Sequence, residues 1–287
     1  MNILRRRLLH MNRKALISTL SLLLVTILIL VIFHYKKDSV DVEFKKPLFI
    51  AHASGGINGL TYLNSLEALN HNYLLGHRFF EVDFNWTADD KLVLIHDWKI
   101  TYKRLFGINT EKAPTEEKFL SLKMNFKQTQ LSLTQFANWM ETHPKAIVIA
   151  DIKSGDNAKG LQQMLLAIKN PYQRIIPQIY HIKNYEKIKE LGFAGHNIMY
   201  AMYRTMKLKD EIEFIKTYEL FGISIQPQKP YFSKVVKEIG ELKTPIYILT
   251  LNDLDKFNEL KKKGVDGLVT DFLYLKASKI LNQKPRI

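Results

Sequence analysis

The sequence predicts an α/β fold: a (β/α)8 TIM barrel with a β-hairpin arm after its second strand, preceded by one N-terminal transmembrane helix. Short apolar runs alternate with helical patterns along most of the 287 residues. Parallel strands need a crossover of about a dozen residues or more, and eight of the runs are separated in this way. Eight such units in roughly 240 residues indicate the barrel. A doubly wound open sheet is the alternative.

The membrane helix is predicted at 15–33, a stretch of nineteen residues without a charge. At about 1.5 Å per residue, this stretch just spans a bilayer core. A cleavable signal peptide is the alternative, but its apolar region is normally shorter and is followed by small residues. Here His34-Tyr35-Lys36-Lys37 follows instead. The excess of basic residues in 1–14 predicts that this end stays in the cytoplasm.

We therefore expect four parts in the chain. They are a cytoplasmic basic tail at 1–14, a transmembrane signal anchor at 15–33, a linker at 34–46 and the barrel domain at 47–287. The protein would cross the cell membrane once, with the barrel domain on the extracytoplasmic side.

The formal net charge is +14, and half of this excess lies in residues 1–37, which hold seven basic residues and no acid. A basic surface can attract nucleic acid or an anionic membrane. The chain lacks a helix-turn-helix, a zinc-finger spacing and an aromatic-rich RNA motif, so no nucleic-acid partner is expected. Cysteine is absent, which excludes disulfides, thiolate metal ligands and a cysteine nucleophile.

Apolar runs bounded by turn and cap residues define the individual elements. The barrel strands are predicted at 48–51, 79–84, 147–152, 174–180, 197–203, 222–227, 245–251 and 266–270. Helices are predicted from Asn64, as the capping residue, to Gly76, and at 132–141, 157–169, 183–191, 205–220, 232–242, 253–263 and 272–282. The stretch 98–130 is predicted to be an irregular functional or membrane-facing arm.

Residues 79–97 carry a distinctive pair of carboxylates. Glu81 and Asp83 stand two residues apart in a strand, so their side chains point the same way. The turn-forming segment that follows is too short for a parallel crossover. Residues 91–96 must therefore return as an antiparallel arm, which brings His96 to about the level of Glu81.

Ionisable side chains collect at the C-terminal ends of the predicted strands, where barrels of this type carry their active sites. His52 ends the first strand, Glu81 and Asp83 the second, and Asp151 and Lys153 the third. Each has an ordinary reading as a solvated carboxylate, a structural histidine or a simple ion pair. Their joint placement after apolar runs favours a site, because buried charges are costly unless they are paired or bound to metal.

The three carboxylates, in a chain without thiolates, suit one hard divalent cation, Ca²⁺ or Mg²⁺, bound through oxygen. His52 and His96 are then free to act as general base and general acid. Lys153 could hold an anionic oxygen of the substrate. This combination suits the cleavage of a phosphodiester.

At these residues the chain resembles the glycerophosphodiester phosphodiesterases, over about residues 48–275. The matching motifs are His52, Asn64-Ser65-Leu66-Glu67-Ala68, Glu81-Val82-Asp83, Thr87-Ala88-Asp89-Asp90, His96-Asp97, Asp151-Ile152-Lys153, Leu249-Thr250-Leu251-Asn252-Asp253 and Gly264-Val265-Asp266-Gly267-Leu268-Val269-Thr270-Asp271. The resemblance implies that 47–287 is a TIM-barrel phosphodiesterase domain. It also implies acid–base roles for the two histidines and a divalent cation on the three carboxylates.

Three positions depart from the pattern of that family. Ala53 stands where the family has Arg, Leu63 where it has Glu, and Asp151 where its third metal carboxylate is Glu. The Asp-x-Lys at 151–153 looks more like the sphingomyelinase D-type phospholipases, which share the barrel and the two histidines. The missing Arg would shift part of the phosphate contact to Lys153.

The expected function is that of a membrane-anchored, divalent-metal-dependent phosphodiesterase of lipid metabolism, with a glycerophosphodiester or phospholipid-type substrate. Three alternatives remain. They are a phospholipase-like lyase that forms a cyclic phosphate, a non-catalytic barrel that binds phosphorylated ligands, and a structural membrane protein. Gln178, Tyr203 and Gln226 are expected to shape the substrate pocket together with 98–130.

Overall fold

The computed structural model describes Thr26 and residues 44–153, 155–202, 207–242 and 244–283. The predicted tail, the predicted membrane segment apart from Thr26, and most of the predicted linker lie outside these residues. Within the described part of the chain, no helix is long and apolar enough to cross a membrane. Asp41–Ile287 form one compact unit, and the architecture that follows is that of this unit.

Eight parallel strands close into a barrel, as the spacing predicts, and a ninth strand extends it. The strands are β1 (Phe49–Ala51), β2 (Phe79–Trp86), the added β3 (Leu92–Leu94), β4 (Ile147–Ile152), β5 (Ile175–Ile179), β6 (Met199–Ala201), β7 (Gly222–Ile225), β8 (Ile246–Leu249) and β9 (Gly267–Thr270). β1 pairs in parallel with both β2 and β9, so the sheet has no open edge at this point. This closure excludes the doubly wound alternative.

β3 is the predicted hairpin arm. It pairs antiparallel with β2, with Phe84 opposite Leu94 and Trp86 opposite Leu92. All three residues of β3 are buried, because the arm packs against the following loops. The chain leaves β3 directly toward His96.

Nine α-helices are seen in the described residues, seven of them at nearly the predicted positions. They are α1 (Leu66–Leu75), α2 (Ile100–Phe106), α3 (Glu116–Ser121), α4 (Leu133–Thr142), α5 (Asn157–Ala167), α6 (Asn184–Glu190), α7 (Leu208–Thr217), α8 (Phe232–Ile239) and α9 (Leu254–Lys261). The predicted cap of α1 was wrong by one residue. Ser65, not Asn64, accepts the hydrogen bond from the amide of Ala68, and Gly76 ends the helix at φ 108°.

Two other predictions about secondary structure were wrong. The stretch 98–130 is not irregular throughout, since it contains α2 and α3. The predicted final helix at 272–282 is instead an antiparallel hairpin of β10 (Leu273–Lys276) and β11 (Lys279–Asn282). Between these strands Ala277 and Ser278 have φ values of 47° and 64°. Two consecutive left-handed residues make a tight hairpin turn and cannot continue a helix.

The N-terminal end of the barrel is filled with apolar side chains. Phe44, which falls in the predicted linker, is 4% exposed and belongs to this cluster. Its ring lies edge-on to Phe221 at 6.5 Å between centroids, and Phe221 stacks on Phe79 and Tyr247. The apolar packing leaves the polar chemistry to the opposite end.

Candidate active site

The predicted ionisable residues meet at the C-terminal end of the barrel. His52 directly follows β1, Glu81 and Asp83 lie in β2, and Asp151 lies in β4. Asp83 and Asp151 are neighbours in the β2–β4 register. None of these four residues is more than 4% exposed, so their charges must be compensated within the site.

The three carboxylates are arranged so that one ion can reach all of them. Glu81, Asp83 and Asp151 each offer an oxygen, and these oxygens lie within 4.8 Å of one another. Asp151 Oδ1 is buried and has no hydrogen-bond partner among the described residues. A buried, unpartnered carboxylate oxygen in an all-oxygen donor set is a suitable ligand for a hard divalent cation. The residues present therefore fit a metal ion.

The raised pKa values of two of the carboxylates also favour a bound cation. Burial, reinforced by the charge of Asp83, raises the pKa of Glu81 to about 8. Burial likewise raises the pKa of Asp151, against the opposing effect of Lys153. Crowded carboxylates resist ionisation together, and a cation placed between them would relieve that repulsion.

Lys153 supplies one positive charge to this group. Its Nζ lies 2.8 Å from Asp83 Oδ1 and is also ion-paired with Asp151. Burial would lower the pKa of Lys153, but Asp83 and Asp151 outweigh burial and raise it. Tyr180 donates a hydrogen bond to Asp151 and receives one from Gln178 at 3.0 Å. Lys153 thus compensates part of the negative charge of the two aspartates, and its predicted contact with the substrate stays a prediction.

His52 is held by a carboxylate at the other side of the site. Its Nδ1 is hydrogen-bonded to Asp271 Oδ1 at 2.8 Å, and Asp271 Oδ2 accepts from Asn252 Nδ2 at 2.8 Å. This contact leaves Nε2 as the ring nitrogen that can exchange a proton with a substrate. Burial would lower the pKa of His52, but the bond to Asp271 and the charge of Glu81 raise it to about 9.

His96 reaches the same place from the hairpin arm. Its Nδ1 is hydrogen-bonded to Asp97 Oδ2 at 3.0 Å, and its side chain is 36% exposed. The ring of Tyr62 contacts both histidines edge-on, with its centroid 4.4 Å from that of His52 and 5.2 Å from that of His96. The structure therefore brings both histidines to one small volume around Tyr62.

Sequence reasoning missed the partners that hold these groups in place. Asn64 donates to Asp83 Oδ2 at 2.7 Å, and its own Oδ1 accepts from the Asp83 amide at 3.0 Å. The motif at 64–68 contained Asn64, but its pattern was interpreted as a helix cap. Asp271 is likewise the last residue of the matching motif at 264–271. Its position directly after a barrel strand was the signal that could have paired it with His52.

Two of the three departures from the family pattern, Ala53 and Leu63, occupy positions whose contacts are clear. The amide of Ala53 donates to Glu81 Oε2 at 2.8 Å, a backbone contact that needs no particular side chain. Leu63 is fully buried in an apolar cluster that includes Val93 and Ile95, so it takes no part in the site. Among the predicted pocket residues, Gln178 supports the site through Tyr180, while Tyr203 lies outside the described residues.

A closed α/β barrel with acids and imidazoles at its C-terminal end defines an enzyme-type active site. Residues 56–275 match the model of the glycerophosphoryl diester phosphodiesterase family. This match covers most of the chain, and the chain belongs to that family. It is thus a phosphoric diester hydrolase of the glycerophosphodiester phosphodiesterase type.

Solved structures share the fold. A glycerophosphodiester phosphodiesterase from Thermotoga maritima is 20% identical, with a TM-score of 0.62, over 79% of this chain and 96% of that one. One from Parabacteroides distasonis is 19% identical, with a TM-score of 0.62, over 79% and 93%. An Oleispira antarctica phosphodiesterase in complex with the product sn-glycerol-3-phosphate is 16% identical, with a TM-score of 0.62, over 78% and 93%. No curated protein matches the chain in sequence.

Proposed function

We propose that this phosphodiesterase depends on one divalent cation, Ca²⁺ or Mg²⁺, held by Glu81, Asp83 and Asp151. It would cleave a glycerophosphodiester or a phospholipid-type phosphodiester. The observation that carries the proposal is the joint burial of three carboxylates whose oxygens lie within 4.8 Å of one another, beside the two histidines. Such a cluster is otherwise hard to reconcile with the cost of buried charge.

The roles of the residues follow from their contacts. The cation, when bound, supplies positive charge against the phosphoryl oxygens. One histidine accepts the proton of the attacking oxygen, which belongs to water in direct hydrolysis or to a substrate hydroxyl in cyclic-phosphate formation, and the other donates a proton to the leaving oxygen. Asp271 fixes the tautomer and the ring orientation of His52, as a carboxylate partner of a catalytic imidazole does. Asn64 holds Asp83 in position through two hydrogen bonds.

Two substitutions test the acid–base assignment. We expect hydrolysis of a soluble phosphodiester by the full-length protein to be abolished by EDTA, by His52→Ala and by His96→Ala. His143→Ala is the matched control, because His143 stacks on Trp139 at 4.3 Å in a separate cluster. Hydrolysis that survives in both site variants would refute the two-histidine assignment.

A substrate with a good leaving group separates the two histidines. A nitrophenyl ester needs little protonation of its leaving oxygen. It should therefore restore much of the activity of the variant that lacks the general acid, but not of the variant that lacks the general base. Phosphorus NMR of the product distinguishes direct hydrolysis from formation of a cyclic phosphate.

We also propose that residues 15–33 anchor the protein in the cell membrane, with the barrel on the extracytoplasmic side. The support is the uncharged length of this stretch and the basic residues that precede it. Protease treatment of intact cells should remove the barrel and leave the N-terminus protected. A barrel protected until the cells are lysed would contradict this orientation.

A further inference from the structure

Exposed apolar side chains are concentrated beside the active site. Among the described residues, eight large hydrophobic side chains are exposed, and four of them lie in the segments that flank the two histidines. Those four are Tyr62, Ile100, Ile108 and Phe126. Isolated exposed apolar residues are ordinary, but a group of them at one place marks an interaction surface.

Hydrogen bonds attach this surface directly to the site. Asp97, the partner of His96, accepts from the amide of Ile100 at 2.6 Å. Arg104 Nη2 donates to the carbonyl oxygen of Tyr62 at 2.9 Å, and its own carbonyl accepts from Asn125 Nδ2 at 3.0 Å. α2, the Tyr62 loop and the segment around Phe126 therefore form one connected surface next to the histidines.

The outward position of Ile100 and Phe126 is a consequence of tight packing beneath them. Tyr102, Leu105 and Met124 point inward and are each at most 4% exposed. Ile100 is 79% exposed and Phe126 is 48% exposed. The inner side of α2 thus already packs against the core, and most of the Ile100 side chain and about half of the Phe126 ring remain exposed to solvent.

Lysines stand close in sequence to the exposed apolar residues. The residues that define what we call the rim are Lys99, Ile100, Lys103, Lys123, Phe126 and Lys127, all of them exposed. The acids of the same stretch stand apart in sequence, at Glu111, Glu116 and Glu117, and the amide of Glu116 is bonded to Asp89 in the turn of the β2–β3 hairpin. The rim therefore combines apolar side chains with positive charge.

We propose that the rim docks on the surface of an anionic phospholipid bilayer. Apolar side chains that enter the interface, ringed by lysines that face anionic head groups, are the pattern of interfacial binding. A soluble polyanion would engage the lysines but would leave Ile100 and Phe126 in water. A further consequence, which rests on the proposed function, is that the site takes a phosphodiester presented at the bilayer surface.

The absence of cysteine from the sequence allows a single environment-sensitive label to be placed at will. We would label Ile100→Cys and Phe126→Cys in the full-length protein, with Leu166→Cys as the matched control. Leu166 is 78% exposed on α5. The proteins are mixed with vesicles of phosphatidylcholine alone or with phosphatidylglycerol, so that lipid charge is the only variable.

Docking predicts a blue shift of the labels at 100 and 126 on anionic vesicles, with quenching by lipids that carry a spin label in the acyl chain. The label at 166 should change in neither respect. Equal responses at all three positions, or none at 100 and 126, would overturn the proposal. A blue shift produced as strongly by soluble polyphosphate would also overturn it in favour of a polyanion site. None of these readouts requires turnover, so they test docking independently of the proposed catalysis.

A second measurement connects docking to the substrate. Ile100→Ser with Phe126→Ser should lower the rate on a phosphodiester lipid in anionic vesicles by about tenfold or more. The rate on a soluble glycerophosphodiester should stay within about twofold of that of the unchanged protein, and Leu166→Ser should leave both rates unchanged. An equal loss on both substrates would show that the rim acts on the site itself, contrary to the proposal.

Discussion

Two buried histidines of the same barrel have opposite protonation behaviour. His52, at the C-terminal end of β1, is 4% exposed, and His77, just before the N-terminal end of β2, is 6% exposed. Burial lowers the pKa of both. At His77, Arg78 reinforces burial, the hydrogen bond to the Leu273 carbonyl offsets it only in part, and the pKa falls to about 4. At His52, Asp271 and the neighbouring carboxylates reverse the effect and raise the pKa to about 9.

The difference shows how the two ends of the barrel are specialised. At the N-terminal end an imidazole is tolerated as a neutral, structural side chain beside apolar packing. At the C-terminal end carboxylates make the same imidazole a charged group that can exchange protons. The N-terminal end therefore carries apolar packing and the C-terminal end carries the ionisable groups. Substitutions at the two ends should separate these properties.

The largest effect is expected at the C-terminal end. Asp83→Asn removes one carboxylate of the trio and one of the two ion-pair partners of Lys153. We expect kcat/KM to fall by about 10³-fold or more, which corresponds to about 4 kcal/mol of transition-state stabilisation. Asp255→Asn, at an exposed carboxylate on α9, is the control. A variant at 83 that retains a tenth of the activity would contradict the metal assignment.

At the N-terminal end the expected loss is of stability alone. Phe44→Ala removes a buried ring from the cluster that closes the barrel. The free energy of unfolding should fall by about 3–4 kcal/mol, while kcat at a temperature below unfolding stays unchanged. Phe126→Ala serves as the matched control, because its ring is 48% exposed. Equal destabilisation by both changes would show that Phe44 is not part of the core in solution.

The two histidines should give opposite pH dependence. His77 is neutral in the folded state, while an unfolded histidine titrates near 6.5. Its contribution to stability is therefore lost as the pH falls from about 6.5 toward 4, by about 3 kcal/mol in all. The contribution of His52 is present below pH 6.5 and is lost as the pH rises through about 9.

The contribution of His77 can be isolated by measuring urea unfolding of the unchanged protein and of His77→Gln at several pH values. The advantage of the unchanged protein over His77→Gln should shrink by about 3 kcal/mol between pH 7 and pH 4. A difference between the two proteins that does not depend on pH would mean that His77 is accessible to protons in the folded state.

A smaller effect is expected from the residue that positions His52. Asp271→Asn keeps the shape of the side chain but removes its charge, so kcat should fall by about 10- to 100-fold, as for other supporting carboxylates. The pKa of His52, followed by NMR of the ring, should fall at the same time. Asp271→Glu should restore part of both. A loss of kcat with an unchanged His52 titration would assign Asp271 a purely structural role.

Much of the barrel could be predicted because strand and helix periods repeat along the chain. Each of the eight predicted barrel strands overlaps an observed one, and the hairpin arm followed from the shortness of one connection. The hairpin of β10 and β11 was mistaken for a helix because a short apolar and lysine-rich run fits both periods. Only the left-handed backbone at Ala277 and Ser278 decides between them, and neither residue is a typical signal for it.

The site could be predicted in its charged members but not in their partners. Carboxylates and imidazoles after apolar strands are visible in the sequence because such charges are costly without a purpose. The hydrogen bond between His52 and Asp271 joins residues 219 positions apart, and the sequence around either residue does not indicate the other as its partner. The contact of Asn64 with Asp83 is equally hard to predict, because an asparagine before a helix is usually a cap. The membrane anchor stays a prediction, because its residues, apart from Thr26, lie outside those described.

The way in which β1 joins its neighbours governs when the enzyme can become active. β1 pairs with β2 through a single residue pair, Ala51 with Phe80, and the hydrogen bond from Ala53 to Glu81 crosses the same seam. On its other side β1 pairs with β9, and the bond from His52 to Asp271 follows there. The first barrel strand, β1, therefore reaches its complete set of contacts only when β9, the last barrel strand, is in place. A chain that stops before β9 would lack Asp271 and the strand that holds β1 on this side, so we expect it to be inactive.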